Sequence, residues 1–225
     1  MPLGVDIPVN EVKRYMGYHG AAEITPDIEA KIGKAIEQIS SQSHARIVMN
    51  EFLIDVTDKT VVIHTGIEDL TLESESLCRN LSGCRAAILL AATIGPSCDM
   101  LVRRAGITSS ADAAMYQAAG AAAIEAFLDS ENDRLKKEYE ARDLYLRPRF
   151  SPGYGDLKLD HQKDWFRLLD ISKQIGIELT DSLLMVPTKS VTAIIGIGGN
   201  IKSTCGSRCG SCNMHNTCEF SKGRT

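Results

Sequence analysis

Apolar positions along this 225-residue chain alternate between helical and strand-like periods, punctuated by proline and glycine. Residues 8–17 read as a short helix with Pro8 at its start and Gly17 at its end. Thr25-Pro26 opens a longer helix over 27–41, where Ile28, Ile32, Ala35, Ile36 and Ile39 recur at helical spacing. Residues 45–56 and 60–65 are rich in Val and Ile and predict two strands of a hairpin. Residues 70–81 are expected to be helical, ending at Ser82-Gly83. Residues 85–93 form a continuous apolar run closed by Ile94-Gly95-Pro96, whose length fits a buried strand. A short helix over 98–105 precedes a long one over 111–142.

The first half of that long helix is small on nearly every face, with Ala113, Ala114, Ala118, Ala119, Gly120, Ala121, Ala122 and Ala123, and is expected to be buried. Glu125 stands out there, because a carboxylate among alanines is costly unless paired or solvated. The second half, 129–142, is densely charged and reads as solvated. Residues 160–176 repeat an amphipathic pattern through Trp165, Phe166, Leu168, Leu169 and Ile175, with Gly176 as its cap. Short β-segments are expected at 177–180, 183–187 and 190–197, then a turn at Gly198-Gly199-Asn200.

Between the two helical patterns lies residues 146–157, Leu-Arg-Pro-Arg-Phe-Ser-Pro-Gly-Tyr-Gly-Asp-Leu, which can join neither. Pro148 and Pro152 fix their own φ and push the preceding residues towards extended geometry. The segment is therefore an extended strap carrying two arginines and two aromatics, either a rigid connection or a ligand cradle.

A net charge of -4 and a pI near 5.8 give no basic footprint for nucleic acid. No apolar run reaches the length of a membrane span, and residues 1–10 carry Asp6 without a basic region followed by an apolar one, so a cytoplasmic location is expected. Four of the seven cysteines crowd the end of the chain as Cys205-x3-Cys209-x2-Cys212-x5-Cys218. Thiolates at this density suit a metal better than a disulfide framework, and the spacing fits a [4Fe-4S] cluster better than tetrahedral zinc, which stays the alternative. The C-x3-C-x2-C core also matches the radical S-adenosylmethionine signature, but that motif normally opens a partial barrel. Cys78, Cys84 and Cys98, set among apolar residues, are expected to be buried. The expected organisation is a domain over 1–200 and a cysteine-rich metal-binding tail over 201–225.

Arg149-Phe-Ser-Pro-Gly-Tyr154, Leu179-Thr-Asp-Ser182 and Val186-Pro-Thr-Lys-Ser-Val191 together resemble the activation domain of vitamin B12-dependent methionine synthase. That family has an Arg-Pro-x-Pro-Gly-Tyr strap, a helix, Leu-Thr-Glu-Ser and a Pro-x-x-Ser-Val-Ser-Gly segment in the same order. The resemblance runs from about residue 118 to 197. It implies an α+β fold, a twisted antiparallel sheet flanked by helices, with S-adenosylmethionine in a shallow site. It implies that Arg149 pairs with the ligand carboxylate, Glu125 suits its ammonium, and Ser151, Gly153 and Tyr154 complete the cradle. A family tyrosine falls near Ile195, and the family's last strands give way to the cysteine tail.

The expected function is therefore that of a stand-alone reactivation subunit. It would act on the cobalamin module of a separate methionine synthase, with flavodoxin or ferredoxin as electron donor and the tail cluster as a relay. The alternatives are an iron-sulfur reductive activator of other corrinoid methyltransferases and a zinc-stapled, non-catalytic binding module.

Overall fold

The computed structural model describes residues 3–18 and 24–199. Helix α1 spans Val9–Tyr15 and α2 spans Pro26–Gln42, the latter started by the Thr25 hydroxyl accepting from the Ile28 N–H. Strands β1 (Arg46–Val56) and β2 (Thr60–His64) form the expected antiparallel hairpin. Next come β3 (Leu70–Glu73), α3 (Glu75–Leu81), β4 (Ala86–Thr93), α4 (Ser97–Gly106) and the 31-residue α5 (Ser110–Glu140). After β5 (Leu144–Leu146) and the strap follow α6 (Gln162–Leu169), α7 (Ile171–Ile175), β6 (Glu178–Leu179), β7 (Met185–Val186) and β8 (Ser190–Gly199).

Six strands make one antiparallel sheet in the order β3-β2-β1-β4-β8-β5, and β6 pairs with β7 beside it. The expected α+β fold, an antiparallel sheet flanked by helices, is thus observed. Side chains alternate across a strand, and β4 uses both faces. Ala86, Ile88, Leu90 and Ala92 enter one core with α1, α2, α4 and α5. Ala87, Leu89 and Ala91 enter a second core with α3, α6, α7 and Leu157. Strand β8 divides likewise, with Ala193, Ile195 and Ile197 in the first core and Ile194 in the second. Cys78, Cys84 and Cys98 are buried, as expected.

Four expectations need correction. Residues 70–81 are not one helix: Leu70–Glu73 pairs with β2, and extended Ser74 (φ -168°) starts α3 by accepting from the Leu77 N–H. Residues 160–176 hold a short 3-10 turn and two helices, broken where Asp170 takes a left-handed φ of 47° while the apolar stripe continues. Gly198 and Gly199 form no turn but pair with Tyr145 and Leu144. The charged end of α5 is solvated on one side only, since Leu135 and Tyr139 are buried and the Tyr139 hydroxyl donates to Glu51 at 2.7 Å. Asn200 and the tail 201–225 lie outside the described residues.

The alanine-rich half of α5 packs as its composition suggests. A methyl group at Gly120 would overlap the Cys98 sulfur and come within 3.0 Å of Lys189 Cε. Overpacking costs about 1–3 kcal/mol and alanine's helix propensity returns about 1 kcal/mol. Gly120→Ala is therefore expected to lower stability by about 1 kcal/mol in urea denaturation, and adding Cys98→Ala to recover it.

Candidate functional site

The strap leaves β5 at the sheet edge and runs along β8. The Arg147 N–H donates to the Gly196 carbonyl at 2.8 Å, and Phe150 exchanges two hydrogen bonds with Ile194 at 2.9 and 2.8 Å. These bonds satisfy main-chain groups that two prolines keep out of any helix. Phe150, Pro152 and Leu157 are buried beneath the strap, so its apolar residues anchor it to the second core.

Beyond Phe150 the chain turns back on itself. Gly153 N–H donates to the Leu157 carbonyl at 2.8 Å and Tyr154 N–H to the Ser151 carbonyl at 3.0 Å. Gly153 (φ 86°) and Gly155 (φ 57°) take conformations that a side chain disfavours, and at Gly155 a Cβ would also lie 3.1 Å from Ser76. The Tyr154 ring packs edge-on against Phe150, with centroids 5.5 Å apart, and stays half exposed.

Asp156 clamps this turn to the start of α3. Its carboxylate accepts from the Ser74 hydroxyl, from Glu75 N–H at 2.8 Å and from Ser76 N–H at 3.1 Å. The Ser74 hydrogen bond, aided by the two main-chain ones, holds the Asp156 carboxyl down at about 2.

Above the strap, α5 brings two carboxylates to one arginine. Arg149 Nη2 lies 3.1 Å from Glu125 and 3.1 Å from Asp129, and the Arg149 side chain is only 7% exposed. Glu125 and Asp129 stand four residues apart and so share a helix face. Burial of a guanidinium at this depth is tolerable only with such partners. Glu125 is thereby neither a buried orphan nor a plain solvent-face residue: it is partly exposed and paired.

Helix α1 closes the junction. Arg14 pairs with Glu11 at 2.7 Å and lies 4.3 Å from the centre of the Tyr15 ring. Burial, and after it the charge of Glu125, push the Tyr15 phenol above its ordinary range, while Arg14 opposes them.

Of the residues the sequence singled out, Glu125 and Arg149 meet directly, and Ser151, Gly153 and Tyr154 form the adjoining turn. Ile195, where the family tyrosine was expected, is fully buried in the core. Cys205, Cys209, Cys212 and Cys218 lie outside the described residues. Sequence reasoning missed Asp129, visible in principle from its i+4 spacing to Glu125, and Tyr15 and Asp156, for which no local signal existed. Chemically, a guanidinium beside two carboxylates is an arrangement that can receive a zwitterion, carboxylate to arginine and ammonium to acid.

These elements form an α+β domain in which Arg149 joins the strap to α5. It shares its fold with the crystal structure of the MetH reactivation domain bound to AdoHcy, at a TM-score of 0.60 and 17% identity over 84% of this chain and 75% of that one. Residues 122–204 match the family model described as the activation domain of vitamin B12 dependent methionine synthase. The shared fold reaches well beyond the matched segment, into the half of the chain where motifs are weak. No curated protein sequence matches the chain. Among the described residues no helix is long and apolar enough to cross a membrane.

The folded-state Asp156 carboxyl lies below its ordinary 3.8, so its stabilising contribution is present above that value and disappears as pH falls through about 2. Asp156→Asn is expected to lower the urea midpoint at pH 7, with the gap from the unmodified protein closing between pH 4 and 2.

Proposed function

We propose that this protein binds S-adenosylmethionine where α5 meets the strap and reactivates a cobalamin-dependent methionine synthase carried on another polypeptide. One observation carries the reading: the family-matched segment holds both Glu125 and the strap, and these distant stretches fold into contact through Arg149. The AdoHcy-bound state of the MetH domain, whose fold this chain shares, supports the same ligand class.

On this reading Arg149 holds the ligand carboxylate, Glu125 its ammonium, and Ser151 and Gly153 offer backbone groups beside the Tyr154 ring. The net change is delivery of one electron and one methyl cation to cob(II)alamin on the partner's cobalamin module. Methylcobalamin forms, and the carbon-sulfur bond pair stays on the sulfur of S-adenosylhomocysteine. This chain's residues bind and orient the methyl donor. The electron comes from a flavodoxin or ferredoxin.

We read the chain as an activation domain over 1–200 with a metal-binding tail over 201–225. Cys205, Cys209, Cys212 and Cys218 are a donor set fit for a [4Fe-4S] cluster, which supplies one-electron transfer, or for zinc, which supplies only a structural staple. The setting is taken to be cytoplasmic, where thiols stay reduced.

Titration calorimetry tests the binding site. S-adenosylmethionine is expected to bind at micromolar affinity, on the order of -8 kcal/mol, with Arg149→Ala and the charge-conserving Arg149→Lys each weakening it at least tenfold. Incubation with a cobalamin-carrying methionine synthase, S-adenosylmethionine and reductant is expected to convert cob(II)alamin to methylcobalamin. No conversion despite tight binding points instead to another corrinoid partner.

The tail is tested separately. Anaerobically purified protein is expected to be brown, with broad absorption near about 400 nm and about four irons per chain, as a cubane cluster requires. Replacing Cys209 and Cys212 by serine is expected to remove both. A colourless, zinc-containing preparation identifies the tail as a staple.

A further inference from the structure

We infer that Asp129 sets the charge selectivity of this junction, making it favour the sulfonium of S-adenosylmethionine over the neutral thioether of S-adenosylhomocysteine. The inference rests on the ligand reading above and adds to it the residue that separates methyl donor from spent product.

Glu125 and Asp129 both contact Nη2 of the single Arg149, each at 3.1 Å. Beside them Glu11 and Arg14 form a pair of their own at 2.7 Å, and Tyr15 sits close enough for the Glu125 charge to raise its phenol. These ion pairs gather three carboxylates and two guanidiniums, one more acid than base. Asp129 supplies the excess over Glu11, Glu125, Arg14 and Arg149.

The two ligands differ by one charge. Near neutral pH S-adenosylmethionine combines a carboxylate, an ammonium and a sulfonium and is a net cation, whereas S-adenosylhomocysteine has lost the sulfonium and is net neutral. Both present the same zwitterionic end to Arg149 and Glu125. A further negative charge can distinguish them without a steric contact to the methyl group. Asp129 supplies it from a position that is partly solvated, at 44% exposure, next to an arginine that is almost fully enclosed at 7%. The low exposure of Arg149 means that solvent screens the cluster on one side only, so the extra charge acts over several ångströms.

Asp129 also positions Arg149. It stands one helical turn beyond Glu125, so the two carboxylates hold one guanidinium nitrogen between them. A merely positioning role would affect both ligands alike, whereas a selectivity role changes their ratio.

The test measures both ligands on the full chain by calorimetry. The unmodified protein is expected to bind S-adenosylmethionine roughly tenfold more tightly than S-adenosylhomocysteine, as one added ionic interaction in a partly screened site permits. Asp129→Asn, similar in size and still able to accept a hydrogen bond from Arg149, is expected to reduce that ratio to about two. Asp129→Glu is expected to restore it. An analogue with an amine in place of the sulfonium is expected to follow S-adenosylmethionine. Raising the ionic strength of the unmodified protein is expected to shrink the same ratio, a readout that needs no variant to fold. Equal affinities in the unmodified protein, or an unchanged ratio in Asp129→Asn, overturn the inference while leaving the ligand reading intact. Failure of the unmodified protein to bind either nucleoside overturns both.

Discussion

The backbone pairing of Phe150 with Ile194 is the constraint on which the site depends. Strand β8 is the second central strand of the sheet, buried on both faces, and it lends the strap hydrogen-bond partners at two points, Gly196 and Ile194. A segment with two prolines cannot form a regular ladder, so it takes these isolated bonds and leaves its remaining main chain to the turn at 151–157. Gly196 has no room for a side chain, since a Cβ there would meet Cys84 Sγ and Leu81 at 2.7 Å. The strap's path is thus set by how closely α3 and the chain leading from it approach β8. Indole Nε1 of fully buried Trp165 adds a further bond to the Ala193 carbonyl at 3.0 Å, fixing the same stretch of β8 from α6.

On this fixed path Arg149 projects towards α5, and the ion pairs with Glu125 and Asp129 join the two halves of the molecule. Pairs of this kind gain little net stability, because the cost of enclosing a guanidinium offsets much of the attraction. Their consequence is orientation. Removing a carboxylate leaves the nearly enclosed guanidinium with less compensation, whereas an exposed pair such as Lys173 with Asp170 can be lost at small cost.

Much of the fold was legible because its strongest signals were local. The apolar run that became β4, the Thr25-Pro26 start of α2 and the alanine-rich α5 each announce themselves within one window of sequence. The failures share a cause as well. Leu70–Glu73 became a strand because β2 offered an edge, and Gly198 and Gly199 joined β8 because Tyr145 and Leu144 lay opposite. Periodicity cannot report whether a strand edge is available, near in the sequence or far. The same holds at the site: Glu125 stood out among alanines and Arg149 within the strap, but only a resemblance linked them, while Asp156 matters only because the fold brings it to Ser74, 82 positions earlier.

Ile195 shows how such a site can change while its frame is kept. The family resemblance places a tyrosine near this position, but here the side chain is fully buried between β8 and the helices of the first core. An aromatic ring at this register would have to displace core packing, because a strand alternates its faces strictly and Ile195 lies on the covered one. The rings that do stand near the paired carboxylates and the strap come from elsewhere, Tyr15 from α1 and Tyr154 from the turn. Tyr154 is held by Phe150, whose backbone is held by Ile194, the immediate neighbour of Ile195. One residue of β8 therefore feeds the core while the next carries the strap, so the strand can lose an aromatic contact without losing the geometry that places Arg149.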